Sequence, residues 1–125
     1  MMNKLTMIGT GHGFVHNLYN TCFVINNNFL INTGGSVDIV KDKDYVMHEA
    51  FCLDANKEIF KPYEKKHSTV KYVCENFNDL NIKNLILFHT EDSHPNDKDV
   101  LYKKEAKEYF DNDVIVPKDL DVIEI

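Results

Sequence analysis

The chain has 125 residues, enough for one ordinary domain with its own core and too few for two, so a single domain over 1–125 is expected. Its formal net charge is −6, and all 14 of its basic residues are lysines. Without arginine to grip phosphate in two-pronged fashion, and without a basic patch, nucleic acid is disfavoured as a partner of this chain alone.

Along the chain, short apolar runs alternate with amphipathic helices, the pattern of a layered α/β domain. Lys4 to Gly9 reads as a strand that ends in the glycine-rich turn Gly9-Thr10-Gly11-His12-Gly13. That turn lacks a following periodic helix and a later acidic residue, so it reads as a sharp bend rather than a nucleotide cradle. Thr21 to Ile25 and Phe29 to Ile31 are strands joined by Asn26-Asn27-Asn28, and asparagine tolerates the positive φ of a tight hairpin. Asn32-Thr33-Gly34-Gly35-Ser36 breaks the second of them. Tyr45 to His48 and Leu85 to Phe88 are continuous apolar runs of the buried-strand kind. Between them Val70, Val73, Cys74, Phe77 and Leu80 recur on one helical face that Ser68 or Thr69 would cap. A further helix from about Asp97 to Phe110 shows Tyr102, Ala106, Tyr109 and Phe110 on one side. Val114 to Val116 and Val122 to Ile125 close the chain as two short predicted strands joined through Pro117.

Cys22, Cys52 and Cys74 are odd in number and widely spaced, so they read as reduced, buried thiols of a cytoplasmic protein. No signal peptide is expected from Met1 to Thr10, and no stretch approaches the roughly 18 apolar residues of a membrane span. His12 and His16 stand four apart, but a glycine-rich turn does not give that spacing the geometry of one helical face. Glu91, Asp92 and His94 cluster in a loop and are read as solvated rather than as a cation site.

Three histidine motifs are more specific: His48-Glu49-Ala50-Phe51, His67-Ser68-Thr69, and Leu85-Ile86-Leu87-Phe88-His89-Thr90, with His67 and His89 22 positions apart. In this order and spacing they resemble the C-terminal part of ribonuclease Z-like hydrolases of the metallo-β-lactamase superfamily. At the amino end, Met7 to Gly13 and Tyr19 to Phe23 resemble the opening strand, turn and second strand of that group. Leu30-Ile31-Asn32-Thr33-Gly34-Gly35 resembles its Asp-x-Gly strand end, with Asn32 in place of the aspartate. The resemblance covers 1–36 and 44–125 and lacks the central His-x-His-x-Asp-His segment.

The fold so implied is a partial αββα metallo-β-lactamase-like sandwich with short strands and two or three helices. The chemistry implied is that of two zinc ions, which lower the pKa of bound water and polarise the phosphoryl oxygen of a small phosphodiester or similar substrate. By that resemblance His89 is the last metal ligand, and His67 is a catalytic proton donor or transition-state contact. His48 and Glu49 brace that catalytic loop, and Asn32 orients the metal-ligand loop from the second shell. Zinc takes three or four ligands, and the others belong to the missing segment, so this chain is expected to be incomplete and inactive alone. Without the resemblance, His89 reads as a hydrogen-bonded loop residue and His67 as the lead into a helix cap. Two readings stand: an incomplete metal-dependent hydrolase, and a non-catalytic α/β module that serves assembly. Uncovered sheet edges and apolar faces predict a homo-oligomer.

Overall fold

The computed structural model describes residues 2–12, 20–33 and 38–125. They form one six-stranded sheet of β1 (Leu5–Gly9), β2 (Cys22–Ile25), β3 (Phe29–Ile31), β4 (Tyr45–Glu49), β5 (Asn84–Phe88) and β6 (Asp113–Ile115), ordered in space as in sequence. β1 to β3 make an antiparallel meander, and β3 to β6 run parallel. Three helices accompany the sheet: α1 (Lys57–Phe60), α2 (Val70–Phe77) and α3 (Lys98–Tyr109). This mixed α/β architecture is the expected fold class.

Local chemistry explains the elements. Asn26 and Asn27 hold φ of 52° and 66°, the double positive-φ turn that matches strand twist, so β2 turns directly into β3. β4 reaches β5 through α1 and α2, and β5 reaches β6 through α3. Successive right-handed crossovers in one direction place their helices on one face of a sheet. The packing agrees: Val24, Leu30, Val46, Leu85 and Val114 stand side by side across five strands. They join Val70, Val73, Cys74 and Phe77 of α2 and Tyr102 and Ala106 of α3 in a single apolar cluster. Each fully buried Val or Leu there contributes about 1.5–3 kcal/mol.

The two helices are tied together by Glu105 of α3. Its carboxylate accepts from the backbone N–H of Asp54 at 3.0 Å and of Lys71 at 3.0 Å, in the first turn of α2. Thr69 is the N-cap, its hydroxyl oxygen accepting from the Tyr72 N–H at 3.1 Å. Two N–H groups that the helix cannot satisfy internally are thereby satisfied.

Several predicted elements are shorter or differ. The helix predicted to run through Leu80 ends at Phe77, with Leu80 in the turn beyond. β4 gains Glu49 and β5 gains Asn84. The predicted strand at Val122 to Ile125 does not form: Val122 and Ile125 are exposed. Leu120 takes a φ of 70°, and the Lys118 N–H donates to the Asp121 carboxylate at 2.8 Å, so the chain turns away after β6 instead of pairing. Glu91, read as solvated, is buried; it accepts from the Ser93 N–H at 2.6 Å and from the Tyr102 hydroxyl at 3.4 Å. Residues 54–65, for which the sequence pattern gave no element, wind into α1 and two 3-10 turns. All three cysteines are buried free thiols, and burial pushes Cys52 up to about 11 and Cys74 up to about 12. Among the described residues no helix is long and apolar enough to cross a membrane.

Glu105→Ala removes the acceptor of two part-buried N–H groups, so a loss of about 1–3 kcal/mol is expected in urea unfolding. A change within error would mean that water reaches both groups.

Candidate functional site

Parallel pairing brings the carboxyl ends of β3, β4 and β5 to the same edge, where open α/β sheets usually bind ligands. Asn32 and Thr33 follow β3, His48 and Glu49 end β4, and His89 follows β5. The loop carrying His67 and Ser68 is stitched alongside. Phe51 N–H donates to the Ser68 carbonyl at 2.8 Å, and Val70 N–H donates to the Cys52 carbonyl at 3.0 Å. His67 N–H donates to the Pro62 carbonyl at 2.9 Å, which fixes the far side of that loop.

His67 is the hub. Its ring lies 4.9 Å from that of His89 between centroids, and its Nδ1 lies 3.5 Å from Glu49 Oε2. Phe51 packs edge-on to His67 at 5.1 Å and reaches His89 at 6.2 Å, so one aromatic ring holds both imidazoles. His89 is exposed and sits at φ 57°, a left-handed conformation that a residue with a Cβ adopts at some cost. Asn32, in the matching place after β3, has φ 60°. Its side-chain amide approaches the Thr21 carbonyl at 3.5 Å, and its backbone N–H donates to the Met47 carbonyl at 2.8 Å.

The electrostatics favour neutral groups. Burial lowers the His48 pKa, against the opposing effect of its bond to the Glu49 carbonyl. His48 Nδ1–H therefore donates to that carbonyl at 2.7 Å, which leaves Nε2 to accept from the Thr33 hydroxyl at 3.5 Å. Its ring meets Phe77 edge-on at 5.2 Å. Burial also lowers the His67 pKa, helped by His89 and Lys65. Burial raises Glu49 to about 7, although hydrogen bonds from Ser68 and from the Phe51 backbone act in the other direction. Glu49 Oε2 is buried without a hydrogen-bond partner. Below about pH 7 the close approach of Glu49 to His67 is therefore that of a carboxylic acid to an imidazole. Such a pair can hold or pass one proton near neutral pH.

A cleft of about 370 Å³ opens beside these groups. Asn20, Asn32, Glu49, His67, Tyr72 and Asn76 are among the residues that line it, whereas His89 stands behind His67 and does not. Phe51 and Ser68 are site residues that the sequence did not place in the site, Ser68 being read there only as an alternative helix cap. Their signal lay in the motifs: with Thr69 capping α2, Ser68 is free to serve Glu49, and Phe51 stands two residues past the end of β4. His12 is exposed, and His16 lies outside the described residues.

Whether these side chains suit zinc is decided by their number. Among the described residues no three or more His, Cys, Asp or Glu side chains converge as a metal site requires, and two imidazoles fall short of the three or four donors of zinc. The described residues do not fit a zinc centre.

Glu49 also sets a pH dependence. Its folded pKa lies above its value of 4.5 in the unfolded chain, so the stability from its retained proton is complete below about 4.5 and lost as pH rises through about 7. The side chain is 18% exposed, so most of this difference is expected to register. Glu49→Gln is therefore expected to stabilise the protein by about 2 kcal/mol at alkaline pH and negligibly in acid. Urea midpoints across that pH range test this, and a pH-independent effect would contradict it.

Neither a protein-family profile nor a curated protein sequence matches the chain. Its fold is similar to that of the metallo-β-lactamase fold protein YhfI from Bacillus subtilis, with a TM-score of 0.62 at 16% identity. The match covers 93% of this chain and 47% of that protein, so the chain spans about half the length of its structural relative. The architecture of this chain is metallo-β-lactamase-like.

Proposed function

We propose that this chain derives from a metal-dependent hydrolase of the ribonuclease Z-like kind and is an incomplete form that does not turn over alone. The single observation that carries the reading is the position of His67, 3.5 Å from Glu49 and with its ring 4.9 Å from that of His89, at the tips of parallel strands. These are the residues that the sequence resemblance marks, and they meet although they lie on separate segments. In a complete protein of this kind His89 would be a zinc ligand, His67 a proton donor, His48 and Glu49 a brace, and Asn32 a second-shell contact. The substrate class is a small phosphodiester or a similar ester. What this chain retains is the proton-handling part: a neutral His67, a Glu49 that keeps its proton to about 7, and a cleft of about 370 Å³ beside them.

A second reading is a non-catalytic α/β module for assembly. It is favoured by the donor count, which leaves no zinc centre among the described residues, and by Asn32, which offers no charge where the resemblance expects aspartate. Homo-oligomers and a cytoplasmic location belong to both readings.

Metal analysis of protein purified without chelator, combined with hydrolysis of bis(p-nitrophenyl) phosphate in added zinc, tests the proposal. The expected result is substoichiometric zinc and no turnover. One or two zinc ions per chain, with hydrolysis abolished in His89→Ala, would overturn it.

A further inference from the structure

The cleft beside the acid–base pair has two unlike walls. Helix α2 supplies one, with Tyr72 and Asn76 a turn apart and Val73 and Phe77 next to them. Residues before β2 and after β3 supply the other: Asn20, Thr21, Asn32 and Thr33. His48 stands between, its Nε2 3.5 Å from the Thr33 hydroxyl and its ring edge-on to Phe77 at 5.2 Å. One side is therefore aromatic and apolar, the other amide and hydroxyl. Tyr72 is 50% exposed although it lines the cleft. Its ring is braced by that of Tyr63 at 5.8 Å, whose hydroxyl is bonded in turn to the Thr69 hydroxyl at 3.3 Å. Lys66 is the one lysine of the lining, and it forms no ion pair among the described residues. Glu49 is the one carboxyl, but its Oε2 is buried 3.5 Å from His67, and Ser68 hydrogen-bonds to the group. A ligand in the cleft thus meets a single free cation.

We infer that this cleft binds a small aromatic acid, its flat ring against Tyr72 and its one negative charge on Lys66. Three features select that class. A tyrosine ring packs on a second aromatic ring with an attraction beyond the area covered, which an aliphatic ring of the same size does not share. One lysine balances one negative charge, and a second charge on the ligand would be desolvated without a partner. Across from α2, the amides of Asn20 and Asn32 offer donors and acceptors to a hydroxyl or amine on the ligand ring. The volume of about 370 Å³ lies at the small end of ligand pockets, which span roughly 300–1,000 Å³, so a molecule of one ring suits it. The inference goes beyond the hydrolase reading, because binding of this kind needs neither a metal nor turnover.

Titration of the isotope-labelled protein with 4-hydroxybenzoate, followed by amide chemical shifts, tests it. Shifts are expected at Lys66 and from Tyr72 to Phe77, saturating with a Kd on the order of 1 mM for a ligand of about ten non-hydrogen atoms. Cyclohexanecarboxylate keeps the charge without the flat ring, and 4-hydroxybenzyl alcohol keeps the ring without the charge; each is expected to bind at least about threefold more weakly. Tyr72→Leu, at a half-exposed position, is expected to abolish the preference for 4-hydroxybenzoate over cyclohexanecarboxylate. Lys66→Met is expected to weaken 4-hydroxybenzoate at least about threefold and to leave 4-hydroxybenzyl alcohol unchanged, a split that a distorted cleft would not give. No saturable shift at these residues up to about 20 mM, or both preferences surviving both substitutions, would overturn the inference. Metal content and turnover decide the hydrolase reading separately, so either can fail while the other stands.

Discussion

The parallel register of β3, β4 and β5 is the constraint on which the rest depends. It pairs Ile31 with Met47 and Met47 with Ile86, and so brings Asn32, His48, Glu49 and His89 to one edge. A slip of one residue would exchange the faces of every side chain on a strand. Val46 would leave the helix-covered core, and His48 would lose Phe77 as its packing partner. The register that puts Val24, Leu30, Val46 and Leu85 on the helix-covered face therefore sets the positions of the polar tips as well as of the core. Stability and site geometry share one cause.

Around that edge burial disfavours the charged forms of His48, Glu49 and His67. A charged Glu49 would need donors at both oxygens, and Oε2 has none. Burying an unpaired carboxylate is expensive, so the proton is retained toward neutrality and the neighbouring imidazole loses its own. A closely set carboxyl and imidazole would ordinarily be read as an ion pair, with a raised histidine and a lowered acid. Here burial acts the other way on both, raising Glu49 and lowering His67.

Much of this was legible in the sequence, and the limits are physical. Strands and helices followed from period: Phe29 to Ile31 has the predicted bounds, and α2 starts at the position that a Thr69 cap requires. The meeting of His67 with His89 was legible only as motif order, because no local rule links residues 22 apart. The final predicted strand failed because Val122 to Ile125 has strand-like composition but no free partner after the turn at Leu120. Burial of Glu91 was hidden for a related reason. Its partner is the Tyr102 hydroxyl, delivered by a helix that the loop sequence does not announce.

A fold does not carry a function with it, and this chain illustrates the separation. The scaffold, similar to that of a metallo-β-lactamase fold protein, is held by backbone register and apolar packing in a chain that spans about half that protein's length. A metal centre is different in kind. Zinc binding needs several donors at once, and the described residues do not bring three together. A carboxyl group beside an imidazole needs only two residues, here Glu49 at the β4 tip and His67 on the loop before α2, with Phe51 packed on the imidazole. Sheet, cleft and the Glu49–His67 contact each rest on register and packing among the described residues, and none of them requires a metal donor set.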